Sequence, residues 1–181
     1  IYKIKLFHDK LNLSNKFDYN GKAFKVPIHF KSEKLFLPNL TQTNSNIEIK
    51  KLKLNIKNEL NEKVVEDQKI IEGINLISAL NLKLATVYDI KKKSLFFASD
   101  ESKLTNKNFK YEGELNLKPF NLNLDINFDK FKITKLINSN YPYMELFKTN
   151  LLFNENISTN IKINIHNDLS NRLFNTTKIL F

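Results

Sequence analysis

The chain has no cysteine, no tryptophan, one methionine, three glycines, four prolines and a single arginine, Arg172, in 181 residues. Each scarcity removes a class of reading. Without cysteine there are no disulfide staples, thiol nucleophiles or thiolate zinc sites, although the redox compartment stays open because periplasmic proteins also do without cysteine. Gly21, Gly73 and Gly113 cannot build a Walker or dinucleotide cradle, which needs several glycines to let backbone N–H groups close on a phosphate. His8, His29 and His166 are the only histidines, no serine sits in a G-x-S-x-G elbow, and no HExxH or EF-hand spacing occurs. His8 precedes Asp9, but neighbours on a strand point to opposite faces. Glu112 and Glu114 flank Gly113, and acids two apart on a strand read as a solvated edge. The expectation is a non-enzyme with no metal and no cofactor.

Long apolar runs are also missing. The longest, Leu95-Phe96-Phe97-Ala98, is four residues, far below the roughly 18 that span a bilayer. The chain opens on Ile1 and runs at once into alternating Lys3-Ile4-Lys5-Leu6. It closes on Lys178-Ile179-Leu180-Phe181, which reads like an unfinished strand, so an excised segment of a longer protein is expected. What is present excludes disorder: 41% hydrophobic residues with 15 Phe supply ample apolar surface to offset chain entropy. Length suits one domain or a slice of a larger one.

The net charge is +10, carried by 28 Lys, beside 27 Asn. Lys, Asn, Ile and Phe have the codons richest in A and T, so part of this charge follows from drift in an A+T-rich genome. Lys50-Lys51, Lys91-Lys92-Lys93, and Lys107 beside Phe109 and Tyr111 resemble a basic surface with stacking aromatics. Against nucleic acid stand the spread of lysines along every segment and the near absence of Arg, the preferred reader of phosphates and bases. No nucleic-acid partner is expected.

Period-two alternation dominates, which gives each strand one apolar and one polar face. From Leu115 and Leu117 the apolar set crosses Lys118-Pro119 and continues as Phe120, Leu122, Leu124, Ile126 and Phe128 on the opposite parity. This predicts one long strand bulged at the proline, about 45 Å at the usual rise of about 3.3 Å per residue. Ile47 and Ile49 give way across Lys50-Lys51 to Leu52, Leu54 and Ile56 in the same manner. Further alternating runs are Leu80 to Tyr88 and Ile157 to Ile165, the latter with Lys162, Asn164 and His166 on its polar side. Asn20-Gly21 predicts a two-residue hairpin turn. The polar stretch from Asn58 to Gly73 is expected to be a hairpin connection or a mobile edge.

One segment breaks the alternation. Apolar spacing nearer three or four, with Pro142 suited to a first turn, predicts two short helices at about 131 to 139 and 142 to 150. Phe17-x-Tyr19-x-Gly21-x5-Pro27 recurs as Phe109-x-Tyr111-x-Gly113-x5-Pro119, four identities at a constant offset of 92 residues. It marks a weak repeat of 9–31 at 101–123, or chance in a biased composition. The fold class is therefore mainly β: a long, curved, folded-over antiparallel sheet, forming a groove, with a short helical pair near 131–150. Its apolar faces form either an ordinary core or a trough able to hold acyl chains.

The run from Phe109 through Gly113 and Pro119 to Leu124, then Lys135-Leu136-Ile137 to Phe147 and Leu151-Leu152-Phe153-Asn154-Glu155-Asn156, resembles the AsmA-like family of bacterial envelope proteins, whose relatives include TamB-like and DUF3971-type proteins. The likeness is best over about residues 105 to 181. It implies a large protein anchored in the inner membrane by a helix, with a β-rich body crossing the periplasm of a Gram-negative bacterium as a groove for phospholipids. Residues 1–181 would be one β-rich segment of it. The implied partners are phospholipid acyl chains and, through the rest of the protein, the envelope membranes. Carried to faces rather than motifs, the lipid-facing candidates are Leu115, Leu117, Leu122, Leu124, Ile126, Phe128, Ile161, Ile163 and Ile165. The rival expectation is a structural or adhesive β module that binds protein partners through an open edge.

Overall fold

The computed structural model describes residues 2–23, 26–66, 68–91, 93–129, 158–166 and 176–180. Those residues are mainly β, as the alternation predicts. They form one twelve-stranded sheet whose strands lie side by side in sequence order. The strands are β1 (Lys3–Asp9), β2 (Ser14–Ala23), β3 (Val26–Leu37), β4 (Leu40–Ile49), β5 (Leu54–Val65) and β6 (Gln68–Ala79). They continue as β7 (Leu82–Lys91), β8 (Ser94–Leu104), β9 (Lys107–Leu117), β10 (Phe120–Asp129), β11 (Ser158–His166) and β12 (Thr176–Leu180). Neighbours are antiparallel except β10 and β11, which run parallel. A parallel join needs a crossover of a dozen or more residues, and the chain between Asp129 and Ser158 supplies that length. The two helices expected at 131–139 and 142–150 fall in this stretch and lie outside the described residues.

Several sequence expectations are corrected by the register. Leu115 to Phe128 is not one bulged strand. β9 and β10 fold back on each other with Leu117 opposite Phe120 and Leu115 opposite Leu122. The parity flips because the chain reverses at the cis Lys118–Pro119 bond, and reversal brings both apolar sets to the same face. The same holds earlier: a 3-10 turn at Lys50–Leu52 separates β4 from β5, and Ile47 faces Ile56. A reversal through an even number of residues, two at Lys118–Pro119 and four between Ile49 and Leu54, gives the same parity signature as a bulge, which is why the strands read as longer than they are.

Asn20 and Gly21 are likewise not a turn. They sit inside β2 opposite His29 and Ile28, and the reversal falls between Ala23 and Val26. Asn58 to Gly73 is no edge but the β5–β6 hairpin, in the interior of the sheet. With glycine scarce, tight reversals use other residues at positive φ: Leu13, Glu66, Leu80, and the Thr105-Asn106 pair at φ 49° and 63°. The glycines have a different task. A Cβ on Gly73 would lie 2.6 Å from Cζ of Tyr88, directly across β7, and one on Gly113 would lie 2.5 Å from Cζ of Phe97, directly across β8. Absence of a side chain lets each ring lie flat over the neighbouring strand.

Among the described residues the buried hydrophobic ones collect at one end. Leu104, Phe109, Phe128, Ile161, Ile163 and Ile165 form the core cluster, with Leu82, Leu84, Tyr111, Leu124 and Ile126 packed against it. Phe109 stacks on Phe128 with ring centroids 5.0 Å apart. A bulge between Ser99 and Ser102 shifts the β8 register, and Ser102 Oγ accepts the Ala85 N–H at 3.2 Å.

Candidate functional site: two unlike faces of one sheet

Directly opposed residues of antiparallel strands share a face, so the register sorts every described side chain onto one of two surfaces. On the first, Ile4, Tyr19, Phe30, Ile47, Ile56, Ile77 and Leu84 stand opposite one another in turn, an unbroken apolar row from β1 to β7. At about 4.8 Å per strand the row is about 29 Å long. Ser102 interrupts it at β8, after which Phe109, Phe128 and Ile165 continue it. All nine lipid-facing candidates from the sequence lie on this face. The structure divides them: Phe128, Ile161, Ile163 and Ile165 are 4%, 6%, 7% and 1% exposed, whereas Leu117 is 62% exposed.

Sequence reasoning missed the β1 to β7 part of the row. Each strand carried the alternation, but which residues align depends on where the chain reverses. Of these seven only Ile4 is exposed, at 60%; from β2 to β7 the others are half-buried.

Beside the apolar row runs a second one of different character. Ser32, Ser45, Asn58, Asn75 and Thr86 are opposed in register from β3 to β7, all on the apolar face and all half-buried. The Tyr88 hydroxyl donates to Asn58 Oδ1 at 2.9 Å, reaching over Gly73, and the Thr86 hydroxyl bonds that of Tyr111. Asn75 Oδ1 is buried without a partner among the described residues.

The opposite face is charged and amide-rich around an exposed apolar patch of Ile74, Leu76, Val87 and Phe96, which are 45%, 46%, 55% and 39% exposed. Lys16 pairs with Glu33 at 3.0 Å and Lys162 with Asp125 at 2.8 Å, each directly across a strand pair. His29 Nε2 meets Asp18 at 3.1 Å, a contact invisible in the sequence because the two are eleven residues apart. Two hollows, of about 930 and 620 Å³, lie over this polar face and meet at Ile74. Glu72, Asp89, Glu112, Glu114 and Asp125 line the larger, where Glu72 faces Asp89 and Glu112 faces Asp125. Lysines answer three of these acids, through Lys63–Glu72, Lys91–Asp89 and Lys162–Asp125.

At the β1–β2 turn, the Asp9 carboxylate accepts from the Asn12 side chain at 2.7 Å and from the backbone N–H groups of Asn12 and Leu11. These bonds, the Asn12 side chain first, hold Asp9 below the usual carboxylate range. His8, its sequence neighbour, points the other way and meets Asn15 Oδ1 at 2.6 Å. Among the described residues no His, Asp and Glu group has the geometry of a metal site, and no helix is long and apolar enough to cross a membrane. Comparison with protein-family profiles, curated proteins and solved structures gives no match.

Proposed function

We propose that this chain is a β-rich segment of an AsmA-like envelope protein, working in the periplasm of a Gram-negative bacterium and anchored in the inner membrane by another part of that protein. Its task is to shield phospholipid acyl chains on a groove formed by the apolar sheet face. The observation that carries the reading is the register-aligned apolar row from Ile4 to Ile77, half-buried along most of its length, which meets the buried cluster only at Leu84. An apolar face left this open needs a cover, and acyl chains gain about 0.8 kcal/mol per buried methylene. Movement along such a face needs no chemistry, in keeping with a chain read as a non-enzyme. The folded-over, groove-forming shape and the repeat of 9–31 at 101–123 belong to the same proposal.

A second reading, a structural or adhesive module, draws on the β1 edge. There Ile4, Leu6 and Phe7 are 60%, 77% and 61% exposed beside a backbone with one side unpaired among the described residues.

The test is lipid mass spectrometry of the protein purified without detergent, beside Ile56→Glu and Ile77→Glu. Near-stoichiometric phospholipid on the wild type, lost in both variants with circular dichroism unchanged, is the expected result. A lipid-free wild type that is folded and monodisperse overturns the reading and favours the adhesive one.

A further inference from the structure

A surface meant only for hydrocarbon has no use for hydrogen-bonding groups, yet the apolar face carries a continuous row of them. Ser32, Ser45, Asn58, Asn75 and Thr86 stand in register across five strands, about 19 Å at about 4.8 Å per strand. Every member is uncharged. Ser32, Ser45 and Asn75 make no side-chain hydrogen bond within the described protein, and Asn75 Oδ1 is buried without a partner among the described residues. Of the five, only this oxygen is both cut off from water and without a partner among those residues, which is costly. Five in sequence along one line is a pattern that strand pairing alone does not require.

The order of chemistry along β3 and β4 is as informative as the row itself, whereas β5, β6 and β7 continue past it on the same face with Leu60, Gly73 and Tyr88. Down the apolar face β3 reads Ile28, Phe30, Ser32, Lys34, and β4 beside it reads Ile49, Ile47, Ser45, Thr43. Hydrocarbon comes first, then a hydroxyl, then on β3 an ammonium. Lys34 is half-buried, and its Nζ lies 5.4 Å from the Phe36 ring centroid. Among the described residues it has no carboxylate partner, unlike Lys16 on the other face. The pairs on this face near it are Asn15 and Thr43, neither of them acidic. Hydrocarbon, uncharged oxygen and then negative charge is the sequence of groups along a glycerophospholipid.

We infer that the row from Ser32 to Thr86 is a track for the ester and glycerol linkage of a glycerophospholipid, with Lys34 taking its phosphate at the β3 end. The inference rests on the lipid-shielding reading and adds to it an orientation. Acyl chains lie over Phe30, Ile47, Ile56 and Ile77, the linkage lies over the row, and the headgroup points to the Lys34 side. Because the hydroxyl and amide stations repeat at each strand, the linkage exchanges one set of partners for a like set as the lipid advances. No strand from β3 to β7 presents a bare apolar step to it.

The protein is incubated with vesicles of dioleoyl phosphatidylglycerol or of its dialkyl ether analogue, which keeps chains and headgroup but lacks the ester carbonyls. After removal of vesicles, the lipid carried is counted by mass spectrometry. The wild type is expected to carry the ester lipid about five-fold over the ether lipid, the worth of one or two hydrogen bonds. The Asn58→Leu, Asn75→Leu double variant should lose that preference while loading ether lipid undiminished. Lys34→Gln should lower loading of phosphatidylglycerol about five-fold and leave dioleoylglycerol unchanged. Equal loading of ester and ether lipid by the wild type, both near stoichiometric, overturns the track and leaves the apolar face standing. Neither lipid carried by folded, monodisperse protein overturns both.

Discussion

Gly73 and Tyr88 face each other across β6 and β7, and the tyrosine ring fills the space that a side chain at residue 73 would need. From there the Tyr88 hydroxyl reaches Asn58 on β5 at 2.9 Å, so three strands are tied by one side chain lying across a glycine. Gly73→Ala would push a methyl against Cζ of Tyr88 at 2.6 Å and against the Glu59 carbonyl oxygen. Overpacking of this kind costs about 1 to 3 kcal/mol. Urea unfolding should show the loss as a lower midpoint. Adding Tyr88→Ala should recover only part of it, because the backbone oxygen of Glu59 stays in place. Full additivity of the two changes would mean that ring and glycine are not coupled.

Ile165 and Leu117 were equivalent lipid-facing candidates in the sequence, and the fold separates them. Ile165 is 1% exposed opposite Phe128, whereas Leu117 is 62% exposed at the β9–β10 turn. Ile165→Ala is expected to destabilise by about 2 to 5 kcal/mol, the usual range for a buried aliphatic truncation. Leu117→Ala should stay within about 0.5 kcal/mol. Similar effects at both positions, by denaturant titration, would place the buried cluster elsewhere.

Asp125 holds the parallel join between β10 and β11. Its carboxylate accepts from Lys162 Nζ and Asn164 Nδ2, both at 2.8 Å, and from Asn127 Nδ2 at 3.2 Å. Asn164 is 7% exposed, so Asp125→Ala removes an acceptor from a buried amide, at a cost of about 1 to 3 kcal/mol. Amide hydrogen exchange should speed up across residues 158–166 before it does in β5 and β6. Unchanged protection there would show that the Asn164 bond to Asn127 Oδ1, at 2.8 Å, is enough. Lys162→Ala should be milder, since that lysine is 41% exposed and water takes its place.

Alternation at Leu122, Leu124, Ile126 and Phe128 and at Ile161, Ile163 and Ile165 was legible from the order of residues alone, because a pleated strand sends successive side chains to opposite sides. The sequence thereby determined that the protein is mainly β, which residues of each strand share a side, and that cysteine and glycine-loop chemistry have no place in it. It could not determine where the chain turns back. Pro119 marks a reversal and Gly21 does not, yet locally the parity flip at one resembled a bulge and the Asn-Gly pair at the other resembled a turn. Register is a property of two strands together, fixed by the pairing that brings the most apolar surface to one side. Only the tertiary structure therefore decided that Ile4 and Leu84, eighty residues apart, lie in one row. It alone set five uncharged polar residues in a line beside that row, and closed Phe128 and Ile165 into a core while leaving Ile56 and Ile77 half open.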